Sequence, residues 1–129
     1  MIYKEWLKAA ADDLLLIEKI LDDEHLTHLA SFHAQQAIEK SLKAYMEFKR
    51  LPFIKTHKLQ TLIDRCSIEL SPQEDELLQL LDTLYVESRY PGEFGLLPNG
   101  KPSLKESKLF FDFAKKFHNS IKDRIDNES

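Results

Sequence analysis

The sequence predicts an all-α fold: an up-down four-helix bundle with one additional short helix. Three observations carry that expectation. Apolar residues recur at spacings of three and four in four separate stretches, which is the period of a helix with one buried face. Only three glycines and five prolines occur, most of them between residues 91 and 102, too few for a turn-rich β protein. Ser71-Pro72-Gln73-Glu74 and Ser103-Leu104-Lys105-Glu106 both place a serine three residues before a glutamate. There the serine caps the helix and the glutamate reaches back to it. With 129 residues, 43% hydrophobic and 31% charged, the chain suits one domain spanning 1–129.

The first helix is expected over 2–21, with Trp6, Ala10, Leu14, Ile17 and Leu21 on one stripe. Asp22-Asp23-Glu24 ends it, and the second helix starts near His25 to Thr27. At 100° per residue, Ala30, Ala34, Ala37, Ile38, Ser41, Tyr45 and Phe48 share one sector of that helix. Small residues there let another helix come close, which marks it as the centre of a bundle. His33, Gln36, Glu39, Lys40 and Lys43 occupy the opposite, polar sector. Pro52 stops the helix near Arg50. Thr56 suits the N-cap of a short helix over His57 to Arg65. The next helix runs from Pro72 to about Arg89, with Leu77, Leu80, Leu81, Leu84 and Ser88 as its inward stripe and Leu78, Tyr85 and Arg89 beside it. Residues 91–102 form a loop, and the last helix carries Phe110, Phe113, Ala114, Phe117 and Ile121 inward. Asp126 to Ser129 are expected to fray.

No apolar run approaches the roughly 18 residues of a membrane span. Met1 leads into a charged amphipathic helix rather than a secretory leader. A single cysteine, Cys66, fits a reducing cytoplasm. Five histidines are present, but no Cys-x-x-Cys, His-Glu-x-x-His or dense carboxylate cluster accompanies them, so neither metal nor cofactor is expected.

Net charge is −4, which argues against general nucleic-acid binding. The charge is uneven, however. Residues 39–65 hold 7 basic and 3 acidic side chains, whereas residues 66–100 hold 1 and 7. The basic excess begins on the polar sector of the second helix. It suits a local anion site, or equally a solvated lysine face. The lone basic residue of the acidic segment is Arg89, flanked by Tyr85 and Tyr90. Its guanidinium offers a planar fork for phosphate, and either tyrosine ring could stack on a base. The plainer reading is an arginine binding the carbonyls at a helix end, or paired with Asp82 or Glu87.

Three blocks also carry a family resemblance: Gln35-Gln36-Ala37-Ile38-Glu39-Lys40-Ser41-Leu42-Lys43-Ala44-Tyr45, then Thr56-His57-Lys58-Leu59, then Tyr85-Val86-Glu87-Ser88-Arg89-Tyr90-Pro91. Together, in that order, the chain resembles the HEPN domain family. The resemblance implies a dimeric bundle concerned with nucleotide or RNA chemistry. Many HEPN proteins are metal-independent RNases in which an arginine at the Arg89 position is followed four to six residues later by a histidine. Here residues 94 to 96 are Phe94, Gly95 and Leu96, so that histidine is missing, and no histidine lies between His57 and His118.

The Arg89-Tyr90-Pro91 variant is similar to small stand-alone members paired with minimal nucleotidyltransferases. The resemblance thus implies a nucleotide- or RNA-binding homodimer acting as the non-catalytic partner of such an enzyme, in a toxin-antitoxin-like system. Candidate phosphate- and nucleotide-binding residues are Arg89, Tyr90, Tyr85, Lys40, Lys43, Gln36, His57 and Lys58, with no catalytic residue among them. The alternatives are an endoribonuclease toxin in which His57 or His118 replaces the missing histidine, and a helical interaction module without a ligand.

Overall fold

Small side chains decide which helix lies at the centre. In the computed structural model, which describes residues 1–89 and 101–129, the helices are α1 (Ile2–Ile20), α2 (Thr27–Lys49), α3 (Leu59–Arg65), α4 (Pro72–Arg89) and α5 (Leu104–Glu128). No strand occurs among the described residues. Helix α2 packs against all four others. Its Ala34, Ala37, Ile38 and Leu42 are wholly buried, and removing a side chain such as Ile38 would leave a cavity worth about 2–5 kcal/mol. Helix α5 covers the apolar sector of α2, delivering Phe110, Phe113, Ala114, Phe117 and Ile121 to the core as the periodicity predicts. Helices α1 and α4 flank α2 on either side and make no contact with each other among the described residues. Among the described residues, the polar side of α2 lies in the crease between these two helices.

The helix ends follow local chemistry. Both capping boxes form. Ser71 Oγ accepts from the Glu74 N–H at 3.1 Å and Glu74 accepts from the Ser71 N–H at 3.0 Å; the Ser103–Glu106 box closes at 3.0 and 2.9 Å. Helix α2 stops because Pro52 disfavours helical backbone at Leu51. Arg50 turns left-handed, at φ 57°, and the Leu51 N–H closes back on the Met46 carbonyl at 2.9 Å.

Four local expectations change. Helix α3 starts at Leu59, not at His57: the Thr56 hydroxyl accepts only the Lys58 N–H, while Asp82 reaches across from α4 to cap the N–H groups of Leu59 and Gln60 at 3.0 and 3.4 Å. The buried face of α4 is rotated from the expected stripe. Leu78, Leu81 and Tyr85 are buried, Leu77 and Leu84 only half so, and Leu80 is exposed. The rotation follows from a tyrosine being drawn in as a hydrophobic side chain, since Tyr85 stacks on Phe32 of α2. Phe32 accordingly packs within the chain rather than forming an open patch, although Leu29 stays exposed. Finally, α5 does not fray at Asp126: Glu128 accepts from the Tyr45 hydroxyl and from Lys49 Nζ, each at 2.9 Å, which ties its last turn to α2.

Candidate functional site

The polar side of α2 is not a simple solvated face. Two buried carboxylates organise it, each holding one lysine and one histidine. Asp13 of α1 has a side chain 9% exposed; its two oxygens accept from His33 Nδ1 at 2.9 Å and Lys40 Nζ at 2.8 Å. Glu39 of α2, 4% exposed, accepts from His57 Nδ1 at 3.0 Å and Lys43 Nζ at 2.9 Å. Burying a carboxylate is costly unless charge and hydrogen bonds compensate, and here both oxygens of each are matched. Two glutamines of α2 extend the second unit. Gln36 donates to the fully buried Gln35 at 2.7 Å, and Gln35 donates to the His57 carbonyl at 2.9 Å and to Glu39 at 3.4 Å.

His57 is thus held at its backbone by Gln35 and at its ring by Glu39. Its side chain is 50% exposed, and Nε2 has no hydrogen-bond partner among the described residues. Its ring lies 5.6 Å from that of Tyr85, which stacks at 5.5 Å on Phe32. Tyr85 is one turn before Arg89, so the C-terminal part of α4 runs beside the polar side of α2. Tyr85 is itself 7% exposed with a face covered, which makes it a wall of the crease rather than a platform for a base. Lys58 is exposed at the mouth of α3, close enough to Asp82 to lower that carboxyl's pKa. Burial outweighs this and holds Asp82 above the usual carboxylate range despite the two N–H groups it caps.

Of the residues expected from sequence, Gln36, Lys43 and His57 are linked through Gln35 and Glu39, with Tyr85 against the His57 ring and Lys58 next to it; Lys40 lies on the same helix but is bound to Asp13 of α1. Arg89 ends α4, but its side chain, like all of Tyr90 and the loop 91–100, lies outside the described residues. Asp13, His33, Gln35, Glu39 and Asp82 were not among the residues expected at the site. Asp13 alone left a signal: it lies between Ala10 and Ile17 on the apolar stripe of α1, where an acid needs a partner.

His118 is elsewhere. It is buried between α5 and α2, with Nδ1 3.1 Å from Ser41 Oγ. That hydroxyl donates to the Ala37 carbonyl at 2.7 Å, so the ring donates to the hydroxyl and carries its proton on Nδ1. Burial, with Lys122 nearby, pushes the His118 pKa down. Cys66 is buried too, its thiol pushed up to about 11, which makes it an inert packing residue. Among the described residues no group of three or more metal-ligating side chains is assembled, and no helix is long and apolar enough to cross a membrane.

The fold and this crease define the class: a helical bundle whose central helix carries a polar, acid-anchored ridge. The HEPN domain model matches residues 3–124, nearly the whole chain, and the protein belongs to the HEPN domain family. Two solved structures share the fold. The archaeal HEPN homologue ST0689 is 22% identical with a TM-score of 0.73, covering 95% of this chain and 97% of its own. TT1696 from Thermus thermophilus is also 22% identical, with a TM-score of 0.73 and coverage of 94% and 96%. Among curated proteins none matches the chain.

Proposed function

We propose that this HEPN protein binds a nucleotide or RNA phosphate in the α2 crease and acts, as a homodimer, beside a minimal nucleotidyltransferase that supplies the catalysis. One observation carries the reading: lysine and histidine N–H donors are fixed along the polar side of α2 by buried carboxylates, in a bundle whose α4 ends in Arg89. Prepositioned donors bind phosphate without the entropy cost of ordering long side chains. Arg89 supplies the bidentate fork and Tyr90 the stacking ring. Lys40, Lys43, Gln36, His57 and Lys58 line the approach.

Titration of ATP and of a short RNA into wild type and Arg89→Ala tests it. Binding that weakens with salt and falls in the variant supports the site. Equal affinity in both removes Arg89 from it, and no binding at all leaves the ligand-free interaction module. The homodimer rests on exposed Leu15 and Leu16 of α1 and Leu29 of α2, since the apolar sector of α2 is already covered within the chain. Light scattering showing only a 15.1 kDa species would refute it.

A second reading, the metal-independent endoribonuclease, has its own support in His57. A ring held by Glu39 through Nδ1 with Nε2 turned outward has the geometry of a general base. His118 is unsuited to that role because it is buried against Ser41. Incubation with unstructured RNA and a chelator decides: cleavage that disappears in His57→Ala establishes the enzyme, and intact RNA supports the binding protein.

A further inference from the structure

We infer that the α2 crease takes up protons with its anion: His33 and His57 supply positive charge to the ligand beyond that of Arg89, and Lys40 and Lys43, each matched by a carboxylate, add no net charge. The inference rests on the phosphate-binding reading above. It starts from the lysines, which made the segment look basic. Each is already matched: Lys40 lies 2.8 Å from Asp13, and Lys43 lies 2.9 Å from Glu39. Each of the two lysine–carboxylate units on α2 is therefore neutral when its imidazole is neutral.

The imidazoles break that balance. His57 is faced by Glu39 and, through it, Lys43 on α2, and by Tyr85 on α4; Lys58 follows it in the link before α3, and Asp82 of α4 acts on both Lys58 and Glu39. His33 is faced by Asp13 from α1 and by Lys40 on its own helix. In both cases Nδ1 sits against a carboxylate oxygen that no lysine occupies. A proton arriving at the outer nitrogen turns a neutral lysine–carboxylate–histidine unit into a cation with an N–H directed away from the carboxylate. Two such units suit a ligand with two or more negative charges, such as consecutive phosphodiesters or a nucleotide polyphosphate, better than a single carboxylate. An anion stabilises each imidazolium, and by linkage each imidazolium strengthens anion binding.

The test is calorimetric titration of a short oligouridylate with hydroxyl ends, whose phosphodiesters do not titrate near neutrality. It is run at ~pH 6.5, within the ordinary imidazole range, in two buffers of different ionisation heat. Wild type should take up protons on binding, with His33→Gln and His57→Gln each lowering the uptake and His25→Gln leaving it unchanged. Affinity should weaken as pH rises, by up to roughly tenfold per unit for each imidazole involved. As a check needing no variant, the ring signals of His33 and His57 in wild type should titrate at higher pH when the protein is saturated with the oligonucleotide. Binding without proton uptake, or an affinity flat with pH, overturns this inference and leaves the phosphate site standing. Absence of binding at every pH overturns both.

Discussion

Replacing Glu39 with alanine removes the acceptor on which three donors converge: Lys43 Nζ at 2.9 Å, His57 Nδ1 at 3.0 Å and Gln35 Nε2 at 3.4 Å. Deleting one partner of a buried ion pair costs about 3–5 kcal/mol when the other stays uncompensated. That full figure does not apply here. The His57 ring is half exposed and regains water, and Gln35 keeps its bond to the His57 carbonyl. Lys43 is left as the main cost, a mostly buried ammonium lying 5.4 Å from the Trp6 ring centroid, so the expected loss is about 2–3 kcal/mol. For a chain of this length that lowers Tm by roughly 10 °C. Urea denaturation should show the midpoint falling with an unchanged m value. The Glu39→Ala/Lys43→Ala double variant should lose less than the sum of the single changes, because removing both partners leaves no buried orphan. A Glu39→Ala stability within about 0.5 kcal/mol of wild type, the usual range for surface changes, would refute the buried anchor.

Two further outcomes follow from the packing. Asp82→Ala should cost about 1 kcal/mol through the lost cap on α3, and Asp82→Asn less, because an amide oxygen keeps one acceptor and removes the buried charge; denaturation midpoints check the order. His118 has a folded-state pKa below its ordinary 6.5, so the unfolded chain takes the proton first as pH falls. Its contribution is present above pH 6.5 and lost on acidification, and the acid-side decline in Tm should be shallower in His118→Gln.

The fold was legible because its signals are local. Capping boxes at Ser71 and Ser103, the stop at Pro52 and the stripe of Phe110 to Ile121 each depend on residues a few positions apart, and each holds. What the sequence hid depends on distant partners. The N-cap of α3 is Asp82, 23 residues from Leu59, so Thr56 looked like the natural candidate. Helix α4 is turned by the stacking of Tyr85 on Phe32, which period counting cannot weigh against leucines. At the site, Lys40 and Lys43 read as a free basic face. The acid neutralising Lys40 sits on another helix, and Glu39, one turn before Lys43, takes its third partner, His57, from the link 18 residues further on.

Histidine ring signals, followed by NMR while ATP is added, test the central claim most directly, because the chain carries five histidines in different settings. His33 and His57 are expected to shift with saturation, while His118, buried behind α2, and His25, exposed before it, stay unmoved. Shifts at His118 or His25 with His33 and His57 silent, or no shift at any histidine, would contradict it.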